Sequence, residues 1–275
     1  MKRLGQHFLK SKSIVFDIIK AADLDEDDIV LEVGPGKGIL TGALIEKAKK
    51  VIAVEKDRKL VEYLIEKFKS IPKSSDRKKV EYSNLEIIHD DILKFDPRLY
   101  SLVASGYKIV ANIPYYITSH FLRKFLESDF QPEMMILMVQ KEVADRIMGK
   151  PAQGRGKNKE SILSISIKAY GEPKIIKKVP ARYFSPQPKV NSAILKINNI
   201  SKDFFKNCAI SEIAQSEKQF FDLVRKGFSH KRKLLKNNLK MLNTECRTFT
   251  FCGISEKARA ENLSLENWKC VYEQI

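Results

Sequence analysis

The sequence predicts a doubly wound α/β domain with a seven-stranded, mostly parallel sheet, followed by a small α-helical domain. Seven short apolar runs are spaced along the first 197 residues, and segments with helical spacing of apolar residues lie between most of them. Alternating strands and helices are typical of a parallel sheet covered by helices on both faces. After residue 197 only helical patterns follow. We therefore expect a first domain over residues 1–200 and a helical second domain over residues 201–275.

The strand candidates are short apolar runs without helical spacing. The first, Ile29-Val30-Leu31-Glu32-Val33, is nearly continuous and ends in glycines, as expected of a strand buried on both faces. The other candidates are residues 51–54, 85–88, 108–111, 134–139, 175–179 and 193–197. Apolar residues three and four positions apart predict helices over residues 12–22, 40–48, 60–68, 119–126 and 162–169.

The composition is that of an ordinary globular protein, but the charge is strongly positive. Hydrophobic residues make up 43% of the chain and charged residues 31%. The 50 Lys and Arg residues exceed the 34 Asp and Glu residues and give a net charge of +16. Such an excess can serve solubility alone, but basic surfaces also bind phosphate backbones by releasing counterions. The charge therefore favours a nucleic-acid partner.

Nothing in the sequence indicates a membrane segment or a metal site. No apolar run approaches the ~20 residues that a membrane-spanning helix needs, and the N-terminus lacks the apolar stretch of a signal peptide. The four cysteines include no close CxxC pair, which favours buried reduced thiols over structural zinc. We expect a monomeric, cytoplasmic protein without a metal ion or a membrane partner.

A glycine-rich turn, Glu32-Val33-Gly34-Pro35-Gly36-Lys37-Gly38, follows the first strand. Glycines let the backbone turn tightly and approach a ligand without a Cβ in the way. A dinucleotide-binding fingerprint would also need glycine at position 39, which is Ile39, so a nicotinamide cofactor is not favoured.

Polar residues follow the next strands. Glu55 comes after the second strand, Asp90-Asp91 after the third and Asn112 after the fourth. Each could simply cap a helix or a turn, but together they fall on the edge where open α/β sheets bind ligands. This pattern resembles the class I S-adenosylmethionine-dependent methyltransferases. The resemblance implies that Gly34 approaches the amino acid part of the cofactor, Glu55 holds its ribose and Asp91 contacts its adenine amine.

The motif Asn112-Ile113-Pro114-Tyr115 indicates the chemistry. The lone pair of an adenine amine is delocalised into the ring, so an enzyme that methylates it needs two acceptors that hold the amine hydrogens and turn the lone pair toward the methyl group. The Asn112 side-chain oxygen and a backbone carbonyl at Ile113 or Pro114 are the candidates. Tyr115 would stack on an extruded base. A strand-to-helix turn that uses Asn and Pro only for geometry is the alternative.

Four motifs in this order resemble the ribosomal RNA adenine N6,N6-dimethyltransferases: Gly5-Gln6-His7-Phe8-Leu9, the glycine-rich turn, the Asn112 motif, and Phe184-Ser185-Pro186-Gln187-Pro188-Lys189-Val190. The likeness runs from about residue 4 to residue 197, and more loosely to residue 240. It implies that His7 and Leu9 close over the cofactor and that Phe184 stacks on the target adenine opposite Tyr115. Many members carry Asn where this chain has His7.

The motifs and the resemblance together assign S-adenosyl-L-methionine as the cofactor. The expected catalytic residues are Asn112, Pro114, Tyr115 and Phe184. The expected cofactor-binding residues are His7, Leu9, Glu32, Gly34, Gly36, Gly38, Glu55, Lys56, Asp91, Ile92 and Asn112.

A basic segment covers residues 225–240 and contains no acidic residue. A charge run is often only a solvated face, but without acidic partners it favours a phosphate-contacting surface. On one continuous helix, an apolar seam would be formed by Phe221, Val224, Phe228, Leu235, Leu239 and Leu242. The expected RNA contacts are Arg225, Lys226, Lys231, Arg232, Lys233, Lys236 and Lys240. Two further basic loops, residues 70–84 and 149–159, are expected to be solvated connections.

The basic segment also resembles the second domain of the family members that modify the small ribosomal subunit. This implies dimethylation of two adjacent adenosines near the 3′ end of small-subunit ribosomal RNA during subunit biogenesis, with that RNA or the pre-small-subunit particle as the partner. The alternatives are a large-subunit enzyme of the macrolide-resistance type, a DNA adenine methyltransferase, and a largely non-catalytic ribosome-assembly factor. Ile113 departs from the Pro-Pro-Tyr of the DNA enzymes, and the intact Glu55, Asp91, Asn112 and Tyr115 argue against a non-catalytic factor.

Overall fold

The chain folds into two compact units. The computed structural model describes residues 7–69, 83–100, 102, 106–150, 158–206, 213–240 and 246–275. The first unit comprises Met1–Lys141 and Lys174–Asn198, and the second comprises Glu142–Pro173 and Asn199–Ile275. This division differs from the boundary expected at residue 200, because the segment 142–173 belongs to the second unit. Most of the two basic loops, residues 70–82 and 151–157, lies outside the described residues, as does Leu242.

Two sheets organise the first unit. The strands are β1 (Phe8–Leu9), β2 (Ile29–Val33), β3 (Lys50–Glu55), β4 (Leu85–His89), β5 (Lys108–Asn112), β6 (Met134–Gln140), β7 (Glu172–Val179), β8 (Phe184–Ser185) and β9 (Ser192–Asn198). The seven-stranded sheet has the order β4-β3-β2-β5-β6-β9-β7, and β1 pairs with β8 in a separate two-stranded sheet. Strands β2 to β6 run parallel to one another, whereas β9 runs antiparallel to β6. The predicted seven-stranded, mostly parallel sheet is confirmed.

Helices pack against the sheet because their apolar residues share one face. In the first unit they are α1 (Lys12–Ala22), α2 (Ile39–Leu44), α3 (Arg58–Lys69) and α4 (Thr118–Leu126). On α1, Ile14, Val15, Ile18 and Ala22 are buried. The central strands are buried on both faces, which explains why β2 reads as a continuous apolar run.

The second unit is helical and has an aromatic core. Its helices are α5 (Lys141–Ile147), α6 (Ile162–Tyr170), α7 (Asp203–Lys206), α8 (Ile213–Gly227), α9 (Leu235–Leu239), α10 (Cys246–Phe251) and α11 (Leu265–Glu273). The ring of Tyr170 on α6 lies 5.3 Å from that of Phe205 on α7 and 5.8 Å from that of Phe221 on α8. These ring contacts join α6 to the C-terminal helices, although the sequence places it before β7.

The expected continuous helix through the basic segment is wrong. Helix α8 ends at Gly227, residues 228–234 form turns, and α9 starts at Leu235. The side-chain amide of Asn238 donates hydrogen bonds to the carbonyl oxygens of Gly227 at 2.6 Å and His230 at 3.2 Å, which closes the turn. Trp268 of α11 packs so closely that a Cβ on Gly227 would lie 2.3 Å from its ring.

Two of the four cysteines also differ from expectation. Cys252 and Cys270 form a disulfide with their Cα atoms 5.7 Å apart, so the expectation of reduced thiols is wrong for this pair. Their separation of 18 residues gave no local sign of the pairing. In the part of the chain that the structure describes, no helix has the length and apolar character needed to span a bilayer.

Candidate functional site

The glycine-rich turn connects β2 to α2 in a conformation that side chains rarely adopt. Gly34, Gly36 and Gly38 have φ angles of +65°, +58° and +69°. The Gly34 N–H donates to the carbonyl of Val54 at 3.0 Å, and the Gly38 N–H donates to that of Pro35 at 2.8 Å. The turn is therefore held to β3 at one end and closed on itself at the other.

The three glycines are needed for different reasons. Gly34 and Gly36 line a cavity, and a Cβ on Gly36 would lie 2.8 Å from the Phe8 ring. Gly38 lies outside the lining of this cavity, and its Cβ would lie 2.8 Å from Leu64 and Phe68 of α3. Gly38 thus serves the packing of the turn on α3, and its expected contact with a cofactor stays a prediction.

Glu32 is buried beneath the turn with only 1% of its surface exposed. Burial raises its pKa to about 8, the nearby Glu55 carboxylate adds to the rise, and Thr41 and the Lys67 ammonium oppose it. Its Oε2 atom has no hydrogen-bond partner among the described residues. A buried carboxylate oxygen without a partner fits a cationic ligand group.

Glu55 lies at the end of β3, as predicted, and borders two cavities. Its Oε2 accepts from the Gly36 N–H at 3.2 Å and its Oε1 accepts from the Asp57 N–H at 3.0 Å. Burial raises its pKa, and these backbone hydrogen bonds oppose the rise. Both carboxylate oxygens are thereby fixed in direction, and each keeps a lone pair for a ligand hydroxyl.

The second cavity contains the predicted Asp91, Ile92 and Lys56, together with the exposed Tyr116. Lys56 donates to Asp91 Oδ2 at 2.7 Å, and this hydrogen bond is the main cause of a lowered Asp91 pKa. The Leu93 N–H donates to Oδ1 at 3.1 Å. Asp91 is therefore held as an oriented carboxylate that can accept from an amine.

Asn112 lies at the end of β5 and lines the first cavity with Ile113, Pro114 and Tyr115. Its side-chain nitrogen donates to the backbone carbonyl of His7 at 3.2 Å. Because the amide nitrogen is committed to this bond, the side-chain oxygen is the group that Asn112 can offer to a ligand.

Tyr115 is fixed by two neighbours. Its hydroxyl forms a 2.7 Å hydrogen bond with Ser192 Oγ at the start of β9, and Ser192 is fully buried. The His7 ring stacks on it with centroids 6.0 Å apart, while His7 Nδ1 donates to the Pro186 carbonyl at 2.7 Å. Sequence reasoning missed Ser192, since a serine in an apolar strand gives no sign of a partner 77 positions away.

The pairing of β1 with β8 decides which of their side chains reach the cavity. Leu9 lies opposite Phe184, and both are buried in the core at 6% and 1% exposure. Phe8, which sequence reasoning did not select, faces the other way and lines the cavity with His7. Successive strand residues point to opposite faces, so Leu9 does not close over the cavity as expected. The Phe184 ring is covered in this structure, and a base could stack on it only after it is uncovered.

The basic segment presents its cations on the turn between α8 and α9. Lys231, Arg232 and Lys233 are exposed, as are Lys226 and Lys240. Among the described residues, two members have acidic partners from outside the segment: Arg225 pairs with Asp222 at 2.7 Å and Lys236 with Glu256 at 3.4 Å. The positive charge of the turn therefore concentrates on residues 231–233.

The two cavities suit the predicted cofactor. The glycines at the cavity wall suit the amino acid part of the cofactor, the oriented Glu55 suits its ribose, and Asp91 suits its adenine amine. Glu32, whose Oε2 has no partner among the described residues, is buried beneath the turn and lies outside the lining of both cavities. No group of three His, Cys, Asp or Glu side chains within the described ranges is arranged to hold a metal ion.

Comparisons with known proteins show the family of the chain. The profile of the family described as ribosomal RNA adenine dimethylase matches residues 1–275. A Dehalococcoides mccartyi protein named ribosomal RNA small subunit methyltransferase A is 42% identical over 98% of this chain and 86% of its own length. A Clostridium botulinum protein of the same name is 36% identical over 99% of this chain and 94% of its own length.

Two solved structures share the fold over nearly their whole length. The 23S rRNA methyltransferase ErmE has a TM-score of 0.75 and 25% identity, and covers 97% of this chain and 98% of its own. A dimethyladenosine transferase from Plasmodium falciparum has a TM-score of 0.74 and 27% identity, and covers 96% of both chains.

Proposed function

The chain belongs to the ribosomal RNA adenine dimethylase family, and from that premise we propose that it dimethylates the N6 amines of two adjacent adenosines near the 3′ end of small-subunit ribosomal RNA. The Asn112 geometry carries this proposal, because it presents an oriented acceptor at the wall of a cavity beside the glycine-rich turn. When bound, S-adenosylmethionine supplies an activated methyl group on its sulfonium.

The cofactor would be held by side chains at the carboxyl edge of the sheet. Glu32 would pair with its ammonium group, Glu55 would accept from its ribose hydroxyls, and Asp91 would accept from its adenine amine. Lys56 keeps Asp91 ionised and therefore an acceptor. The Phe8 ring and the Gly34 and Gly36 backbone would enclose the part that carries the methyl group.

Two acceptors of this chain would orient the target amine. Asn112 Oδ1 is the first, because the His7 carbonyl holds the amide nitrogen away from the amine. The carbonyl of Pro114 already accepts from the Ile117 N–H at 3.1 Å, which favours the carbonyl of Ile113 as the second acceptor. Together they would take both amine hydrogens and direct the nitrogen lone pair toward the methyl group.

Tyr115 would receive the extruded base on its ring. The Ser192 hydroxyl anchors it, so its plane is set before the base arrives. Stacking of a base on an aromatic ring contributes about 1–3 kcal/mol. The resemblance to the family implies that Phe184 stacks on the other face of the base. Because the Phe184 ring is buried, this stacking would require a rearrangement that uncovers it.

The RNA partner follows from the charge and from the relatives. Residues 231–233 would contact the phosphate backbone without reading sequence. The relatives named small-subunit methyltransferase are 42% and 36% identical to this chain, whereas the solved 23S enzyme is 25% identical, which favours the small subunit. The same proposal places the protein in the cytoplasm as a monomer, although a disulfide such as Cys252–Cys270 is unusual in that compartment.

Replacing Asn112 with Ala tests the proposed function. Wild-type protein should transfer labelled methyl groups to unmodified small subunits, but not to large subunits, and mass spectrometry should identify N6,N6-dimethyladenosine. Asn112→Ala should lower the single-turnover rate about a hundredfold, as expected when one positioning hydrogen bond is removed. Its affinity for S-adenosylmethionine, measured by calorimetry, should stay within a few fold of wild type. A wild-type rate in this variant would refute the orientation mechanism, and transfer to large subunits would favour the macrolide-resistance type.

A further inference from the structure

Lys67 of α3 contacts the glycine-rich turn from the side that packs on that helix. Its Nζ atom donates to the carbonyl oxygens of Lys37 at 2.6 Å and Gly38 at 3.3 Å. Charge-assisted hydrogen bonds of this kind are about twice as strong as neutral ones. Lys67 itself lies outside the lining of both cavities that contain Glu55.

The turn is held from two sides as a result. On the cavity side, the Phe8 ring lies against Gly36, and the Lys37 ammonium lies 5.5 Å from the centre of that ring. On the helix side, Leu64 and Phe68 fill the space beside Gly38. Lys67 donates its two hydrogen bonds to carbonyls of the turn on this same side. The peptide groups that form the cavity wall therefore have little freedom to rotate.

The same ammonium acts on Glu32 electrostatically. The charged and hydrogen-bonding groups that act on Glu32 are Thr41 of α2, Glu55 of β3 and Lys67 of α3. Lys67 is the cation among them, and it offsets both the desolvation of Glu32 and the repulsion from Glu55. Lys67 is itself half-buried, and burial lowers its pKa, whereas the charge of Glu32 opposes this change.

We propose that Lys67 is a positioning residue of the cofactor site, which fixes the glycine-rich turn through two carbonyls and provides a positive charge that favours the ionised form of Glu32 when the cofactor ammonium binds. The inference rests on the proposed function, since it needs S-adenosylmethionine as the ligand. It adds a residue from a helix that the sequence motifs do not reach.

Calorimetric titration of the full-length protein with S-adenosylmethionine, from pH 6 to pH 9, tests the proposal. Lys67→Met keeps the length and apolar stem of the side chain but removes its charge. Binding should weaken at least tenfold at pH 6 to 7, and the difference from wild type should shrink as pH rises and Glu32 ionises. Each unit by which the Glu32 pKa rises weakens binding tenfold below that pKa. The ionisation of the cofactor is common to all variants and cancels in the ratio.

Two further variants separate positioning from general stability. Lys67→Arg restores a cation and should recover most of the affinity. Lys69→Met, at an exposed position on the same helix, should bind like wild type. A pH-independent weakening in Lys67→Met would overturn the electrostatic role of Lys67 toward Glu32 and leave only its hold on the turn, and no weakening at all would overturn the whole inference. Failure of the wild-type protein to bind S-adenosylmethionine would instead overturn the proposed function.

Discussion

Replacing Glu32 with Gln should stabilise the protein at high pH while it weakens cofactor binding. Glu32 is 1% exposed, and its pKa rises from 4.5 to about 8, so the unfolded chain releases this proton at lower pH than the folded protein does. The stability that Glu32 contributes is therefore present below pH 4.5 and is lost as pH rises toward 8. Gln does not ionise and lacks this pH dependence.

The size of the effect follows from the pKa difference. A difference of about 3.5 units, at 1.36 kcal/mol per unit, corresponds to about 5 kcal/mol once Glu32 is fully ionised in both states. At pH 6, which is about 1.5 units above the ordinary pKa of 4.5, the protein has lost about 2 kcal/mol of this stability. Between pH 6 and pH 9 the wild-type protein should thus lose about 3 kcal/mol of stability relative to Glu32→Gln.

Urea unfolding at pH 6 and pH 9 measures this difference directly. The pH dependence is the diagnostic quantity, because Gln also leaves a buried amide that changes the absolute stability. Glu46→Gln, at an exposed position, should follow the wild-type pH dependence and serves as the control. At pH 7, Glu32→Gln should bind S-adenosylmethionine roughly tenfold to a hundredfold more weakly, since Gln keeps an acceptor oxygen but lacks the negative charge that would pair with the cofactor ammonium. Parallel pH dependences for wild type and Glu32→Gln would refute the reasoning.

Two predictions concern the second unit. Gly227→Ala should lower the free energy of unfolding by about 1–3 kcal/mol in urea unfolding, because the new Cβ would lie 2.3 Å from the Trp268 ring. Gly42→Ala of the first unit is the control: its Cβ would have open space around it, so the substitution should be neutral or stabilising. Equal effects of the two substitutions would contradict the packing argument. Replacing the three cations of residues 231–233 with Ala should weaken binding to small-subunit RNA. The slope of log affinity against log salt, measured by filter binding, should become shallower by up to about 0.9 for each phosphate that the protein no longer neutralises. An unchanged slope would show that these residues do not bind phosphates.

The sheet and the cofactor edge could be predicted because their signals are local. Strands buried on both faces read as continuous apolar runs, and ligand-facing residues stand at their ends, as Glu55 in β3 and Asn112 in β5. The glycine-rich turn is an equally local signal. Gly34 and Gly36 have positive φ angles, which a residue without a Cβ adopts most readily.

The misassigned residues depend on partners that are distant in sequence. The choice between Phe8 and Leu9 depends on the register of β1 with β8, and a shift of one residue exchanges the two faces. The close packing of Trp268 against Gly227, where α8 ends, involves residues 41 positions apart, and no local pattern indicates it. Lys67 reads as an ordinary surface lysine of an amphipathic helix until its carbonyl partners 29 and 30 positions away are known.

The hydrogen bond between Asn112 and His7 means that the N-terminal segment orients a group of the proposed chemistry, in addition to covering the cofactor. A primary amide can present either its oxygen or its NH2 group after a half-turn, and the NH2 group would oppose the hydrogens of the target amine. The His7 carbonyl, 3.2 Å from the Asn112 nitrogen, removes that choice. The carbonyl is in turn held by the β1–β8 pairing and by the His7 ring, which is bonded to Pro186 and stacked on Tyr115. The orientation of the acceptor thus depends on segments about 105 residues before Asn112 and about 74 residues after it, which is why the four-residue motif alone does not determine the site.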